Sequence, residues 1–194
     1  MTPVRTASSA TSNQRTPIMK GRSGAKSEAW MRLLVVVDGS DESKRVIRYV
    51  AQLAAGRSRV EIQLAHLAPG LPPALLETGG AEQPERESQI EADLRSGQGT
   101  FIAAAGRESA RILQTARRAL ERAGVTGARI GICQSSPLDG RSAVDAVLSL
   151  ARDARCGTIV VGHHAHGWLQ TLGGGHLADQ LARKAIGRAV WVVD

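Results

Sequence analysis

A chain of 194 residues is long enough for one domain with a sizeable core and short for two. Its 42% hydrophobic and 22% charged residues are the balance of a folded protein, not a disordered one, and no apolar run approaches a membrane span. The net charge of +7 raises nucleic acid as a partner, but its distribution argues against one. Arg5, Arg15, Lys20, Arg22 and Lys26 stand against Glu28 alone in the first thirty residues, which therefore hold +4 of the total. Elsewhere basic and acidic residues alternate along helices, which marks a solvated face, so neither nucleic acid nor membrane is expected as a partner.

Residues 1–30 are rich in Ser, Thr, Gly and Arg and carry no periodic apolar pattern, so they read as a disordered basic tail. Met31 directly precedes the first strand, which leaves open that translation starts there and that the tail is a mispredicted extension. The Arg- and Ser-rich start also has the composition of a transit peptide, although no amphipathic helix can be drawn through it. The stretch "GRSGAKS" is not a phosphate loop: Ala25 separates Gly24 from Lys26 and no strand precedes it. Residues 31–194 form the expected domain.

"RLLVVVDGS", Arg32–Ser40, is an apolar run closed by turn residues, as in a strand buried on both faces of a parallel sheet. Ser40, Asp41 and Glu42 supply a cap and first-turn acids. Val46, Ile47, Val50, Ala51 and Ala54 then recur at helical spacing until Gly56. Val60–Ala68 is a second strand, with Glu61 and Gln63 alternating more strongly than an interior strand usually shows. Residues 69–100 mix prolines, glycines and charges and read as a long excursion with one short helix. A helix runs from Phe101 to Ala123 over Ile112, Leu113, Ala116 and Leu120, and Ala128–Gln134 alternates like an edge strand. Another helix carries Ala143, Val144, Val147, Leu148 and Ala151, and Gly157–Gly162 is a strand. A last helix carries Leu177, Leu181, Ala182 and Ile186, and Ala189–Val193 is the fifth strand. This alternation predicts an α/β fold, an open five-stranded parallel sheet with helices on both faces. Cys133 and Cys156 lack metal spacing and read as buried free thiols of a reducing, cytoplasmic compartment.

In such sheets ligands bind beyond the carboxyl ends of the strands, where strand order reverses. Asp38 and Gly162 mark two such ends. From Met31 to Asp194 the chain resembles the universal stress proteins. The resemblance rests on "VDGS" after the first strand, "AHLA" ending the second, and "TIVVG" followed by "GGGHLADQLARKAIGRAVWVVD". It implies a Rossmann-like, adenine-nucleotide-hydrolase-like sheet of order 3-2-1-4-5, with the switch point between the first and fourth strands.

Nucleotide-binding members carry Gly, two residues, Gly, nine residues, then Gly and a hydroxyl residue. Such glycines admit phosphates to the backbone, and helix-start amides donate to them. Here Gly162 and Gly175 match, while Ala165 and His176 replace the second glycine and the hydroxyl. By the resemblance Asp38 would read the adenine edge, Val36, Leu67 and Val161 would line the base pocket, and Leu177 is a further candidate nucleotide-binding residue. The "GHH" after the fourth strand resembles the branch that works without bound ATP, so ATP is expected to bind weakly at most.

"GGGHLA", Gly173–Ala178, also satisfies G-x-G-x-x-A, but it follows the fourth strand after a long loop and not the first. His66, His163, His164, His166 and His176 all fall at one end of the sheet. They lack a helical H-x-x-x-H pair, a cysteine partner and a carboxylate at useful spacing, so no metal site is expected. No catalytic signature is legible, and any hydrolysis of a bound nucleotide is expected to be slow and incidental. The resemblance therefore points to a non-enzymatic cytoplasmic dimer acting in stress tolerance through contacts with other proteins, whose identity the sequence does not give. An adenine-nucleotide switch or slow ATPase of the same fold is the rival. The dimer would join along Ala189, Val190, Trp191, Val192 and Val193, an unprotected apolar edge.

Overall fold

The computed structural model describes residues 30–76, 84–134, 142–163 and 177–194. Five strands form one parallel sheet in the order β3-β2-β1-β4-β5: β1 Met31–Val36, β2 Val60–His66, β3 Ile130–Gln134, β4 Thr158–Gly162 and β5 Ala189–Val193. The helices are α1 Asp41–Ala54, α2 Pro84–Arg122, α3 Ala143–Asp153 and α4 Leu177–Lys184. The basic tail lies outside the described residues, apart from exposed Trp30.

Side-chain alternation along the strands divides the core in two. Leu33 and Val35 of β1 face α1 and α2, where they meet Val46, Val50, Ile112 and Leu120. Leu34 and Val36 face α3 and α4, among Val147, Ile159, Val161 and Leu181. Each such Leu or Val, once buried, stabilises the fold by about 1.5–3 kcal/mol relative to remaining in water. The Ser40 hydroxyl caps α1 by accepting from the Ser43 amide at 3.1 Å, and Gly56, at φ +71°, ends the helical turn.

Four sequence expectations need correction. The helix expected from Phe101 begins at Pro84, so it spans 39 residues and about 58 Å. Proline and glycine had disguised its first half. Pro84 occupies the first helical position, where no backbone donor is required. Gly97 leaves room for Leu75, whose Cδ2 lies 3.0 Å from where a Cβ would stand, and Gln98 donates to the Leu75 carbonyl at 2.7 Å. Glu91–Arg95 and Gln89–Asp93 pairs support that half from the solvent side. The short helix expected before residue 100 reduces to a 3-10 turn, Pro73–Leu75.

The last helix stops at Lys184, which turns the buried stripe differently than expected: Ala178 and Ala185 are buried, Ala182 is exposed, and Ile186 is 88% exposed. Of the two cysteines, Cys156 is buried, whereas Cys133 on edge strand β3 is only half-buried. Burial pushes the Cys156 thiol up to about 11. The polar positions of interior strand β2 are accommodated locally. Glu61 pairs with Arg32 at 2.6 Å. Gln63 lies across Gly131, where any Cβ would overlap its amide.

Candidate functional site

Strand order reverses between β1 and β4, and the chain leaves β1 through a tight turn built around Asp38. The Asp38 Oδ1 accepts from the Ser40 amide at 2.9 Å and from the Ser43 hydroxyl at 2.5 Å. The same Ser43 oxygen accepts from the Asp38 amide at 2.8 Å. Gly39 completes the turn at φ +82°, with Ile112 Cγ1 of α2 3.2 Å from where a Cβ would stand. Any side chain at Gly39 would meet both a backbone penalty and α2.

Burial raises the Asp38 pKa, but hydrogen bonds from Ser43 and Ser40 outweigh it and hold the carboxyl below the usual aspartate range. Asp38 is therefore ionised at neutral pH, with one oxygen fixed by its own turn. The Ser40 amide and the Ser43 hydroxyl meet Oδ1, and a carboxylate keeps further acceptor capacity for an outside donor such as an exocyclic amine.

Val36, Leu67, Val161 and Leu177 all join the cluster on the α3–α4 face, none more than 8% exposed. The three expected apolar neighbours of a base, Val36, Leu67 and Val161, are thus held on one side of the sheet together with Leu177. Gly162 ends β4 beside α1. A Cβ there would stand 3.4 Å from Glu42 Cβ, an ordinary contact, so packing among the described residues does not require glycine. A bare backbone there suits the close approach of a ligand's phosphate. Ala165, Gly175 and His176, which would complete the phosphate loop, lie outside the described residues.

The histidines divide. His66 is 6% exposed, and its Nδ1 lies 2.8 Å from the Ser109 hydroxyl of α2. Burial lowers its pKa against the pull of Asp38 and Glu108, which keeps the ring neutral at pH 7. The pair has the spacing of a nucleophile and its base. Ser109 lies within α2, so the contact ties β2 to α2, and both side chains border a cavity of about 270 Å³. His163 meets Asp194 at 3.3 Å, and its amide donates to the Val193 carbonyl at 3.0 Å, so it fastens the end of β4 to the end of β5. His164, His166 and His176 lie outside the described residues, and among those described no three His, Cys, Asp or Glu side chains gather to hold a metal.

Three participants escaped the sequence reading: Ser43, Ile112 in its contact with Gly39, and Ser109. A serine five positions after Asp38 and three after a capping serine is a readable signal for the first. The other two lie more than forty residues from their partners, and no local pattern announces them.

At the far edge of the sheet β5 pairs, among the described residues, with β4 alone. Ala189 donates to the Gly157 carbonyl, and Val193 accepts from His163, so the odd-numbered residues of the strand bond to β4. The backbone groups of Val190 and Val192 point outward. Trp191 and Val193 pack on the α1–α2 face, with Tyr49 of α1 edge-on to Trp191 at 6.4 Å, and Val190 packs on the other. Val192 is 45% exposed.

The chain matches the universal stress protein family over residues 29–193. No curated protein matches it. Among solved structures it is similar to a protein of the universal stress protein family from Burkholderia pseudomallei, at 17% identity and TM-score 0.54, covering 84% of this chain and 96% of that one. It is similar at 24% identity and TM-score 0.52 to a universal stress protein in complex with cAMP, covering 86% and 98%. It is also similar at 21% identity and TM-score 0.50 to the universal stress protein of Archaeoglobus fulgidus in complex with dAMP, covering 85% and 98%.

Proposed function

The chain belongs to the universal stress protein family, and from that premise we propose that it works as a non-enzymatic cytoplasmic homodimer, supporting stress tolerance through contacts with other proteins. The observation that carries this reading is the outer edge of β5. Val190 and Val192 present backbone donors and acceptors outward from a short apolar strand without lysine or proline. A second copy of the strand, antiparallel across a two-fold axis, satisfies those groups and closes the edge. Exposed Val192 would then be covered by its counterpart. The half-exposed Tyr49 and Trp191, already in ring contact, extend the apolar border of that edge. Light scattering on the purified protein at tens of micromolar tests the reading: a dimer mass is expected, and a monomer overturns it.

A second reading is favoured by a separate observation, the Asp38 turn. It holds an ionised carboxylate in a fixed orientation beside the cluster containing Val36, Leu67 and Val161. On this reading the switch point takes an adenine mononucleotide. Asp38 accepts from the base, and Gly162 admits a phosphate. The replacements Ala165 and His176 bear on the outer phosphates, so a mononucleotide suits the site better than ATP. The neighbours solved with dAMP and cAMP carry ligands of that size. Denaturing the purified protein and identifying any released nucleotide by mass spectrometry tests it: an adenine mononucleotide supports the switch, and ATP as the sole species contradicts it.

A further inference from the structure

On the face opposite the base-pocket cluster, α1 and α2 do not close on one another. A groove of about 630 Å³ runs between them, within the size range of small-molecule sites. It follows α1 from Asp41 to Ala51 and α2 from Arg111 to Ala123, a run of about 15–18 Å at the helical rise. Small side chains open it. Ala51, Ala116, Ala119 and Ala123 line its lower end, and Ile47 and Ile112 floor the upper part.

Polarity changes along its length. Lys44, Arg45 and Arg111 line the upper part with Asp41, and Arg48 lies between them and Ala51 along α1. Lys44 pairs with Asp41, Arg45 with Glu42, and Arg111 with Glu108 through two hydrogen bonds. The first and third pairs are exposed at both partners, and such pairs contribute about 1 kcal/mol or less, so their cations can turn to another anion. Arg48 is exposed and has no acidic partner among the described residues.

We propose that this groove binds a linear medium-chain alkyl carboxylate, its head at Arg48 and Arg111 and its tail along the alanines. The cationic end calls for an anion, and the alanine end calls for methylenes, whose burial stabilises by about 0.8 kcal/mol each. One extended alkyl chain fits the space. A peptide helix, about 10–12 Å across with its side chains, does not. The proposal is independent of the nucleotide reading, since the base-pocket residues lie on the other face of the sheet.

The test is calorimetric titration of the full chain with dodecanoate at submicellar concentration. Saturable binding of one molecule per chain is expected, with octanoate weaker and dodecyltrimethylammonium silent. Arg48→Glu, at an exposed position, should weaken dodecanoate at least tenfold. Ala119→Leu, which fills the lower groove, should abolish binding while leaving the helical circular dichroism intact. Should Ala119→Leu fail to fold, the Arg48→Glu result and the choice between anion and cation still decide. No saturable binding, equal binding of the alkyl cation, or affinity unchanged by Arg48→Glu would overturn the proposal. So would binding confined to phosphatidylglycerol vesicles or to a polyglutamate peptide.

Discussion

The Ser43 hydroxyl donates to the Asp38 carboxylate at 2.5 Å and in the same geometry receives the Asp38 amide at 2.8 Å. One side chain on the first turn of α1 thus fixes both the backbone and the charge of the residue that leaves β1. A hydrogen bond to a charged group contributes about 1.5–3 kcal/mol, so Ser43→Ala should destabilise the fold by about that amount at pH 7. Because the folded carboxyl lies below its ordinary range, its contribution is complete above about pH 4 and is lost as pH falls through the lowered folded value. The gap between Ser43→Ala and the unmodified protein in urea denaturation should therefore narrow at acid pH. A gap independent of pH would mean that Ser43 acts by packing alone.

Gly39 faces two obstacles to substitution, its φ of +82° and the side chain of Ile112. Gly39→Ala should cost about 1–2 kcal/mol for the left-handed backbone, plus whatever Ile112 must yield. Ile112→Val trims that contact, so in the double variant the combined loss should be less than the sum of the two single losses. Simple additivity in thermal melts would show that the contact with Ile112 is not a constraint on the turn.

Removing a glycine and a hydroxyl from the phosphate loop should leave ATP affinity weak. Ala165→Gly with His176→Ser restores backbone approach and one donor, and should strengthen ATP binding at least tenfold by calorimetry. Micromolar or tighter binding by the unmodified protein would contradict this account of the two positions.

Residues 1–30 have no apolar face in the sequence, so their deletion should leave the melting temperature unchanged within about a degree. A fall of several degrees in differential scanning calorimetry would show that the segment docks on the domain.

Much of the fold was legible because a parallel sheet buries its strands on both faces, and runs such as Leu33–Val37 have few other uses. The amino half of α2 was not. Pro84, Gly97 and Gly99 are loop residues by habit, and what makes them helical is position: Pro84 opens the helix, and Gly97 meets Leu75 across a distance no local pattern records. Ile186 misled for the opposite reason, since its spacing extends the stripe of Leu177 and Leu181 beyond the point where the helix ends. At the site, Asp38 could be picked out from its place after the first strand. Its fixed orientation depends on Ser43, and the separation of the groove from the base pocket depends on which sheet face each helix covers. Both emerge only from the fold.

The central claim is assembly through β5, and sedimentation equilibrium of the unmodified protein beside Val192→Pro tests it most directly. Since the Val192 amide points away from β4, proline there removes an outward donor and leaves the β4–β5 ladder in place. The account predicts a dimer for the unmodified protein and a folded monomer for the variant. A variant that remains dimeric, or an unmodified protein that sediments as a monomer at tens of micromolar, would contradict it.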